Sequence, residues 1–128
     1  MILGIDLGQK TTGLAISEGN FASPYTTIKH YSINDAAQKV SQITNELNVD
    51  TIILGVVEGK IKSLFESFAQ KFKAKNPRVN IIFWDETLTS RQAIQTMIKL
   101  NIPKIKRAQK QHEVAAAIIL QSYIDNND

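Results

Sequence analysis

The chain has no cysteine and no long apolar run. The absence of cysteine among its 128 residues excludes disulfide bonds and thiolate metal sites and fits a reducing compartment. No stretch reaches the roughly 18 consecutive apolar residues that a membrane-spanning helix needs. The first residues, Met1 to Asp6, lack a basic region and include an acid where a signal peptide would be apolar. We therefore expect a cytoplasmic protein without a membrane partner.

Acidic residues are also absent from the segment between Thr87 and His112. Six basic residues fall in this segment: Arg91, Lys99, Lys104, Lys106, Arg107 and Lys110. Because the net charge of the whole chain is only +3, the other residues together carry about −3. A local basic face attracts a polyanion such as nucleic acid, although a solvated surface run produces the same pattern.

The composition that remains is typical of one globular domain. Hydrophobic residues make up 43% of the chain, which is enough to bury a core without help from another chain. The sequence contains no internal repeat, low-complexity tract or linker. We therefore expect residues 1–128 to form a single domain, with room for about five strands and four helices of ordinary length.

Hydrophobic periodicity predicts an α/β fold. Strands are predicted at 2–5, 12–17, 25–30, 51–57 and 80–84. Four helices are predicted. The first follows a cap at Ser32 or Asn34, the second runs from Ile61 to Phe72, and the third follows a cap at Thr89 or Ser90. The fourth runs from Val114 to Ile124, beyond a basic loop that contains Pro103. An antiparallel meander followed by βαβαβ segments gives a mixed five-stranded sheet with helices on both faces.

Acidic residues stand where three of the predicted strands end. Asp6 follows the first strand, Glu58 the fourth, and Asp85 and Glu86 the fifth. Sites in open α/β sheets lie at the carboxyl ends of the strands. Clustered carboxylates repel one another unless a cation is bound, and oxygen ligands favour Mg²⁺ or Mn²⁺. Each acid alone can instead cap a turn, but the Gly-x-Asp-x-Gly setting of Asp6 favours a chemical role.

Three blocks of sequence resemble one known family. They are Gly4 to Ala15, Trp84 to Ser90, and Ala115 to Ile124. In order and spacing they are similar to the YqgF/RuvX family, Holliday-junction-resolvase-like proteins that are also described as pre-16S rRNA nucleases. Sugar kinases and heat-shock ATPases of the actin-like superfamily open with a block similar to the first. The three blocks together in so short a chain favour YqgF/RuvX.

The resemblance implies a ribonuclease H-like fold with an acidic divalent-metal site. Asp6 matches the family's first-strand catalytic aspartate. Asp85 and Glu86 match an Asp-Glu pair after the fifth strand, and we favour Glu86 of the two. Glu58 stands where related junction resolvases keep a catalytic glutamate, in a loop that is shorter than is usual in the family and lacks its proline.

The last helix departs from the family pattern. Where the family commonly has an aspartate, this chain has His112, with Glu113 beside it. A neutral imidazole can bind a metal ion and shifts the preference towards Mn²⁺, which makes His112 a candidate metal ligand beside Asp6 and Glu86. As alternatives, His112 can be a surface residue at a helix start, and Glu113 can interact with the dipole of the first helical turn.

The function implied by the resemblance is that of a metal-dependent endonuclease, most specifically one that processes the 5′ end of pre-16S rRNA. Lys10, in the turn after Asp6, could approach the scissile phosphate or be an ordinary turn lysine. A Holliday junction resolvase is an alternative, and it would act as a homodimer, whereas a monomer could trim RNA. A non-catalytic nucleic-acid-binding domain is another. An actin-like ATPase would need a second such domain.

Overall fold

The computed structural model of the protein describes residues 1–57, 62–88, 91–100 and 104–127, with side chains for all of these except 88 and 104–110. The strands are β1 (Ile2–Leu7), β2 (Thr11–Ser17), β3 (Ser23–Lys29), β4 (Thr51–Val56) and β5 (Asn80–Asp85). The helices are α1 (Ile33–Leu47), α2 (Lys62–Lys75), α3 (Arg91–Lys99) and α4 (Lys104–Asn126), and a 3-10 turn covers Glu86–Leu88.

The strands form one mixed sheet in the order β3-β2-β1-β4-β5. β2 is antiparallel to both β1 and β3, whereas β1, β4 and β5 run parallel to one another. The predicted five-stranded mixed sheet is therefore confirmed. Asp6 is level with Gly55 of β4, which is level with Trp84 of β5. The carboxyl ends of the three parallel strands consequently lie along one edge of the sheet.

Helices cover both faces of this sheet, as the sequence predicts. Side chains alternate along each strand, so Leu3, Ile5 and Leu7 of β1 pack in one buried cluster with residues of α1 and α2. The opposite face packs against α4 and α3, in a second cluster that includes Ile53 and Met97. Asp6 lies between Ile5 and Leu7 in β1, so its side chain points to the opposite face of the sheet, which α4 covers. No helix among the described ranges is long and apolar enough to cross a membrane.

The ends of α1 show why that helix forms where it does. The hydroxyl of Ser32 accepts a hydrogen bond from the backbone N–H of Asp35 at 3.0 Å, which satisfies one of the free donors of the first turn. Ser32 rather than Asn34 is therefore the cap. The helix ends at Asn48, whose φ of 55° is the left-handed conformation that commonly closes a helix.

Three glycines on adjacent strands let α4 lie directly on the sheet. A Cβ atom on Gly13 of β2 would overlap the carbonyl group of His112. A Cβ on Gly4 of β1 would lie 2.9 Å from the carbonyl oxygen of Ala116, and one on Gly55 of β4 would lie 2.5 Å from a side-chain carbon in the same helix. The missing side chains therefore fix how closely α4 approaches β2, β1 and β4.

The predicted start of the last helix is wrong by ten residues. α4 begins at Lys104 rather than at Val114, so the basic segment predicted to be a loop is helical. Beyond Pro103 the sequence contains no glycine or proline and is rich in lysine, arginine, glutamine and alanine, all good helix formers. The prediction failed because it followed the apolar pattern alone, whereas the helix propensities of these residues favour a helix without that pattern.

Candidate active site

The structure brings Asp6 and His112 together on the α4 face of the sheet. Nδ1 of His112 lies 3.5 Å from Oδ2 of Asp6, and Nε2 lies 3.2 Å from the hydroxyl of Thr11. The imidazole is thus placed between a carboxylate and a hydroxyl. A neutral ring with its proton on Nδ1 directs that N–H towards the carboxylate and accepts the Thr11 hydroxyl at Nε2.

The position of this pair follows from the register of the strands and from the way α4 packs on the sheet. Asp6 is level with Gly13 on the neighbouring strand, and α4 crosses β2 at Gly13 with the backbone of His112 in contact. A histidine in that turn of the helix therefore lies beside the end of β1. The side chains of Asp6 and His112 are 21% and 37% exposed, so both remain accessible to a substrate.

Glu113 points away from this pair. Its side chain is buried, at 5% exposure, and its carboxylate accepts a hydrogen bond from the hydroxyl of Thr27 on β3 at 3.4 Å. Successive residues of a helix point about 100° apart, so with His112 at Asp6, Glu113 turns to β3. The dipole interpretation of Glu113 is wrong, because α4 begins at Lys104 and Glu113 is no longer in its first turn.

Asp85 and Glu86 lie further along the same edge of the sheet. The carboxylate of Asp85 accepts a hydrogen bond from the backbone N–H of Thr87 at 2.9 Å, so this residue caps the 3-10 turn. Glu86 is the first residue of that turn. Since β5 is two strands away from β1, Glu86 is separated from Asp6 by about 10 Å across the sheet at the ordinary strand spacing.

The fit of these residues to a metal ion is partial. Asp6 and His112 supply a carboxylate oxygen and an imidazole nitrogen, both of which Mn²⁺ and related divalent ions accept. Among the residues that the structure describes, no group of three or more histidine, aspartate or glutamate side chains is arranged to hold a metal ion. Glu58, the other candidate from the sequence, lies outside the described residues.

The predicted nucleic-acid-binding residues are only partly described. Lys10 is exposed in the turn between β1 and β2, immediately before Thr11, and Arg91 is exposed at the first residue of α3. The other four predicted contacts lie in the first half of α4, where side chains are outside the described set: Lys104, Lys106, Arg107 and Lys110. Their role in binding stays a prediction from the sequence.

Sequence reasoning missed the two threonines of β2 and the second histidine. Thr12 contacts Nε2 of His30 at 2.8 Å on the α1 face, whereas Thr11 contacts His112 on the α4 face. Burial lowers the pKa of His30 below its ordinary value, and the backbone of Ser32 is the main influence in the opposite direction. Alternation along β2 could have separated the two hydroxyls, but no sequence signal connects either with its histidine.

Comparison with known proteins gives consistent results along almost the whole chain. A family model named RuvX and described as Holliday junction resolvase matches residues 1–126. A protein of Thermoanaerobacter pseudethanolicus, provisionally named a pre-16S rRNA nuclease, is 35% identical over 98% of this chain and 96% of its own length. A protein of Clostridium perfringens with the same provisional name is 34% identical over 97% of this chain and 96% of its own length.

Solved structures with a similar fold include two Holliday junction resolvases. Thermus thermophilus RuvC in complex with a Holliday junction substrate has a TM-score of 0.69 at 11% identity, covering 98% of this chain and 93% of that one. The Holliday junction resolvase of fowlpox virus has a TM-score of 0.60 at 17% identity and covers 98% of both chains. These similarities confirm the ribonuclease H-like fold.

Proposed function

The chain belongs to the RuvX family, and we propose that it is a divalent-metal-dependent nuclease that cleaves structured nucleic acid, most specifically at the 5′ end of pre-16S rRNA. The observation that carries this proposal is the Asp6–His112 pair at the carboxyl end of β1, on the edge where open α/β sheets hold their sites. The substrate comes from the provisional names of the curated relatives. Such a substrate places the protein in the cytoplasm.

Asp6 and His112 are the residues that would hold the metal ion, with a further carboxylate from Glu86 or Glu58. When bound, Mg²⁺ or Mn²⁺ supplies an activated water and charge stabilisation for phosphodiester hydrolysis. To bind the ion through Nδ1, the neutral ring of His112 would carry its proton on Nε2 instead. Nε2–H would then donate to the Thr11 hydroxyl at 3.2 Å and fix the orientation of the ring.

Lys10 and the packing of α4 on β2 also contribute to the proposed active site. Lys10 lies in the turn that follows β1 and Asp6, and its side chain is exposed. Its ammonium group neutralises a phosphate that approaches the site. Gly13 holds the backbone of His112 against β2, so the histidine is positioned before substrate arrives. An imidazole nitrogen in place of a carboxylate oxygen is a softer ligand, which shifts the preference from Mg²⁺ towards Mn²⁺.

A Holliday junction resolvase is the second candidate. The description of the matching family and the similar solved structures favour it. A resolvase cuts two strands symmetrically and therefore requires two sites related by a twofold axis. A nuclease that trims one RNA end requires only one site, so the oligomeric state separates the two functions.

Cleavage of two labelled substrates by the purified protein tests the proposal. We expect Mn²⁺ or Mg²⁺ to permit cleavage of a pre-16S rRNA fragment that includes the mature 5′ end, while a four-way DNA junction stays intact. Symmetric cleavage of the junction by a homodimer, with the RNA intact, would instead show a resolvase. Binding of both substrates without cleavage in either metal would show a non-catalytic binding domain and overturn the proposal.

A further inference from the structure

Tyr31 is the most exposed large hydrophobic side chain among the described residues, at 98% exposure. It lies between β3 and α1, directly after the buried His30. Tyrosine usually buries much of its ring and leaves only the hydroxyl in water. A ring that is almost wholly exposed is therefore available to a ligand from outside.

Tyr31 stands at the end of β3 that borders the candidate active site. Lys29, the last residue of β3, is level with Thr11, whose hydroxyl contacts His112. The backbone N–H of His30 donates to the carbonyl of Lys10 at 2.9 Å. Strand spacing and rise place Tyr31 roughly 15 to 20 Å from Asp6, so one substrate can reach both.

The surroundings of Tyr31 hold its ring in place. Nζ of Lys39 lies 5.9 Å from the ring centroid, within the range of a cation–π contact, and also donates to the carbonyl of Lys29 at 2.6 Å. The backbone N–H of Tyr31 donates to the carboxylate of Asp35 at 3.0 Å. One face of the ring thus meets a cation that is itself fixed, and the high exposure leaves the ring accessible to a planar partner.

The charges near Tyr31 indicate an anionic partner. Lys10 and Lys29 are both exposed at this edge. Asp35, which accepts a hydrogen bond from the backbone of Tyr31, is paired with Lys39 at 3.3 Å. A planar group joined to anionic groups is the chemistry of a nucleotide within a strand. Aromatic side chains that stack on bases, with basic groups on the phosphates, are the usual means of holding single strands.

We infer that Tyr31 stacks on an unpaired base of the nucleic-acid substrate while Lys10 and Lys29 contact its phosphates, an inference that rests on the proposed function. Within a duplex, neighbouring bases cover both faces of every interior base, so an unpaired base is the group that can stack on this ring. At about 3.4 Å per nucleotide of a stacked strand, the distance from Asp6 corresponds to about five nucleotides. The protein therefore requires a single-stranded segment close to the cleavage position.

Binding of two RNA probes tests this inference. One is a fluorescein-labelled hairpin with a single-stranded tail, and the other is the same hairpin without it; both are titrated with the full chain in buffer without divalent metal. We expect Tyr31→Ala to bind the tailed probe about tenfold more weakly and the blunt probe unchanged. Tyr31→Phe should bind like the wild type, because it keeps the stacking ring.

The control is Phe21→Ala, which removes another exposed aromatic, 60% exposed, at the opposite end of β3. It should not change binding of either probe. A tail of abasic nucleotides should abolish the difference between wild type and Tyr31→Ala. Equal loss on both probes, no loss on either, or Tyr31→Phe as weak as Tyr31→Ala would overturn the inference.

The outcomes separate this inference from the proposed function. If wild type cleaves pre-16S rRNA but Tyr31→Ala binds the tailed probe normally, only the stacking role is wrong. If Tyr31 controls binding of the tail but neither metal supports cleavage, only the nuclease proposal is wrong. A wild-type protein that binds neither probe overturns both.

Discussion

Thr11 and Thr12 are neighbours in β2, and their hydroxyls contact histidines on opposite faces of the sheet. Thr11 lies 3.2 Å from Nε2 of His112, beside Asp6, and Thr12 lies 2.8 Å from Nε2 of His30. His112 is partly accessible, whereas His30 is only 4% exposed. The two contacts therefore have different roles. The contact from Thr11 orients an accessible ring at the candidate site, and the contact from Thr12 satisfies one nitrogen of a buried ring.

Asp6→Asn should abolish cleavage and leave folding and substrate binding nearly unchanged. Loss of a metal-binding charge removes several kcal/mol of transition-state stabilisation, on the order of a thousandfold in rate. Binding depends mainly on basic groups elsewhere. Single-turnover cleavage and filter binding measure the two effects.

The matched control for Asp6 is Asp50→Asn. Asp50 has a side chain that is 75% exposed and precedes β4 at the opposite edge of the sheet. The Asp50→Asn variant should cleave the substrate like the wild type. Near-normal cleavage by Asp6→Asn would show that the active site lies elsewhere.

His112→Ala should lower metal-dependent cleavage far more than Glu113→Gln. His112 faces Asp6, whereas Glu113 bonds to Thr27 within the structure, so the glutamate substitution should lower the unfolding temperature rather than the rate. His112→Asp should retain or raise activity in Mg²⁺, because a carboxylate suits that ion better than an imidazole. Titration of each metal into the three variants, followed by cleavage, decides between the residues. Loss of activity in Glu113→Gln alone, with its fold intact, would assign the ligand to the glutamate.

The sequence predicted the fold better than it predicted the site. The mixed five-stranded sheet followed from apolar runs and from the order of strands and helices along the chain, both of which are local patterns. The resemblance predicted that His112 lies beside Asp6, but no local pattern did. The pairing depends on how closely α4 meets β2 at Gly13, a contact between distant segments. The prediction of a loop before Val114 was wrong because it followed the apolar pattern and left out the helix propensity of the residues after Pro103. Asp85, like Asp6, stands where a strand ends, but its carboxylate caps a turn, which is the alternative that the sequence left open for it.

Gly13→Ala should disturb both folding and activity. The added Cβ would overlap the carbonyl group of His112, so α4 has to move away from β2 and carry His112 away from Asp6. Overpacking of this kind destabilises by about 1–3 kcal/mol. Gly19→Ala is the control, because a Cβ there meets nothing within 4 Å. Urea denaturation and cleavage should show a loss in the first variant only; a stable, active Gly13→Ala would contradict the close seat of the helix.

The free energy of unfolding should fall as the pH drops from 7.5 to 5.5, partly because of His30. Burial lowers the pKa of folded His30, so the unfolded chain takes up the proton first and is favoured as the pH falls through the ordinary range of histidine. Asp35 stays ionised in this window, because the backbone N–H of Tyr31 lowers the pKa of its carboxyl group. Urea denaturation at both pH values should show a smaller decrease for His30→Gln than for wild type. Equal decreases would assign the effect to other groups.

Replacement of Lys104, Lys106 and Arg107 by alanine should weaken binding of many sequences alike. It should also reduce the slope of log K against log salt by about 0.7–0.9 for each phosphate that the variant no longer binds. The control removes the same charge from exposed positions on the other face of the sheet, as Lys62, Lys71 and Lys75 of α2. An equal change of slope in both triple variants would mean that only the total charge matters and that the basic segment is a solvated surface.

The close contact between α4 and the three glycines of the sheet also affects how residue 112 can vary within the family. The height of the helix above the sheet is set by Gly4, Gly13 and Gly55, none of which has a side chain that could bind an ion. The residue at position 112 can therefore be exchanged without rebuilding the backbone that presents it. If His112 holds the ion as proposed, a single codon change at this position would let selection retune the choice of cation while the core and the substrate-binding surface stay as they are.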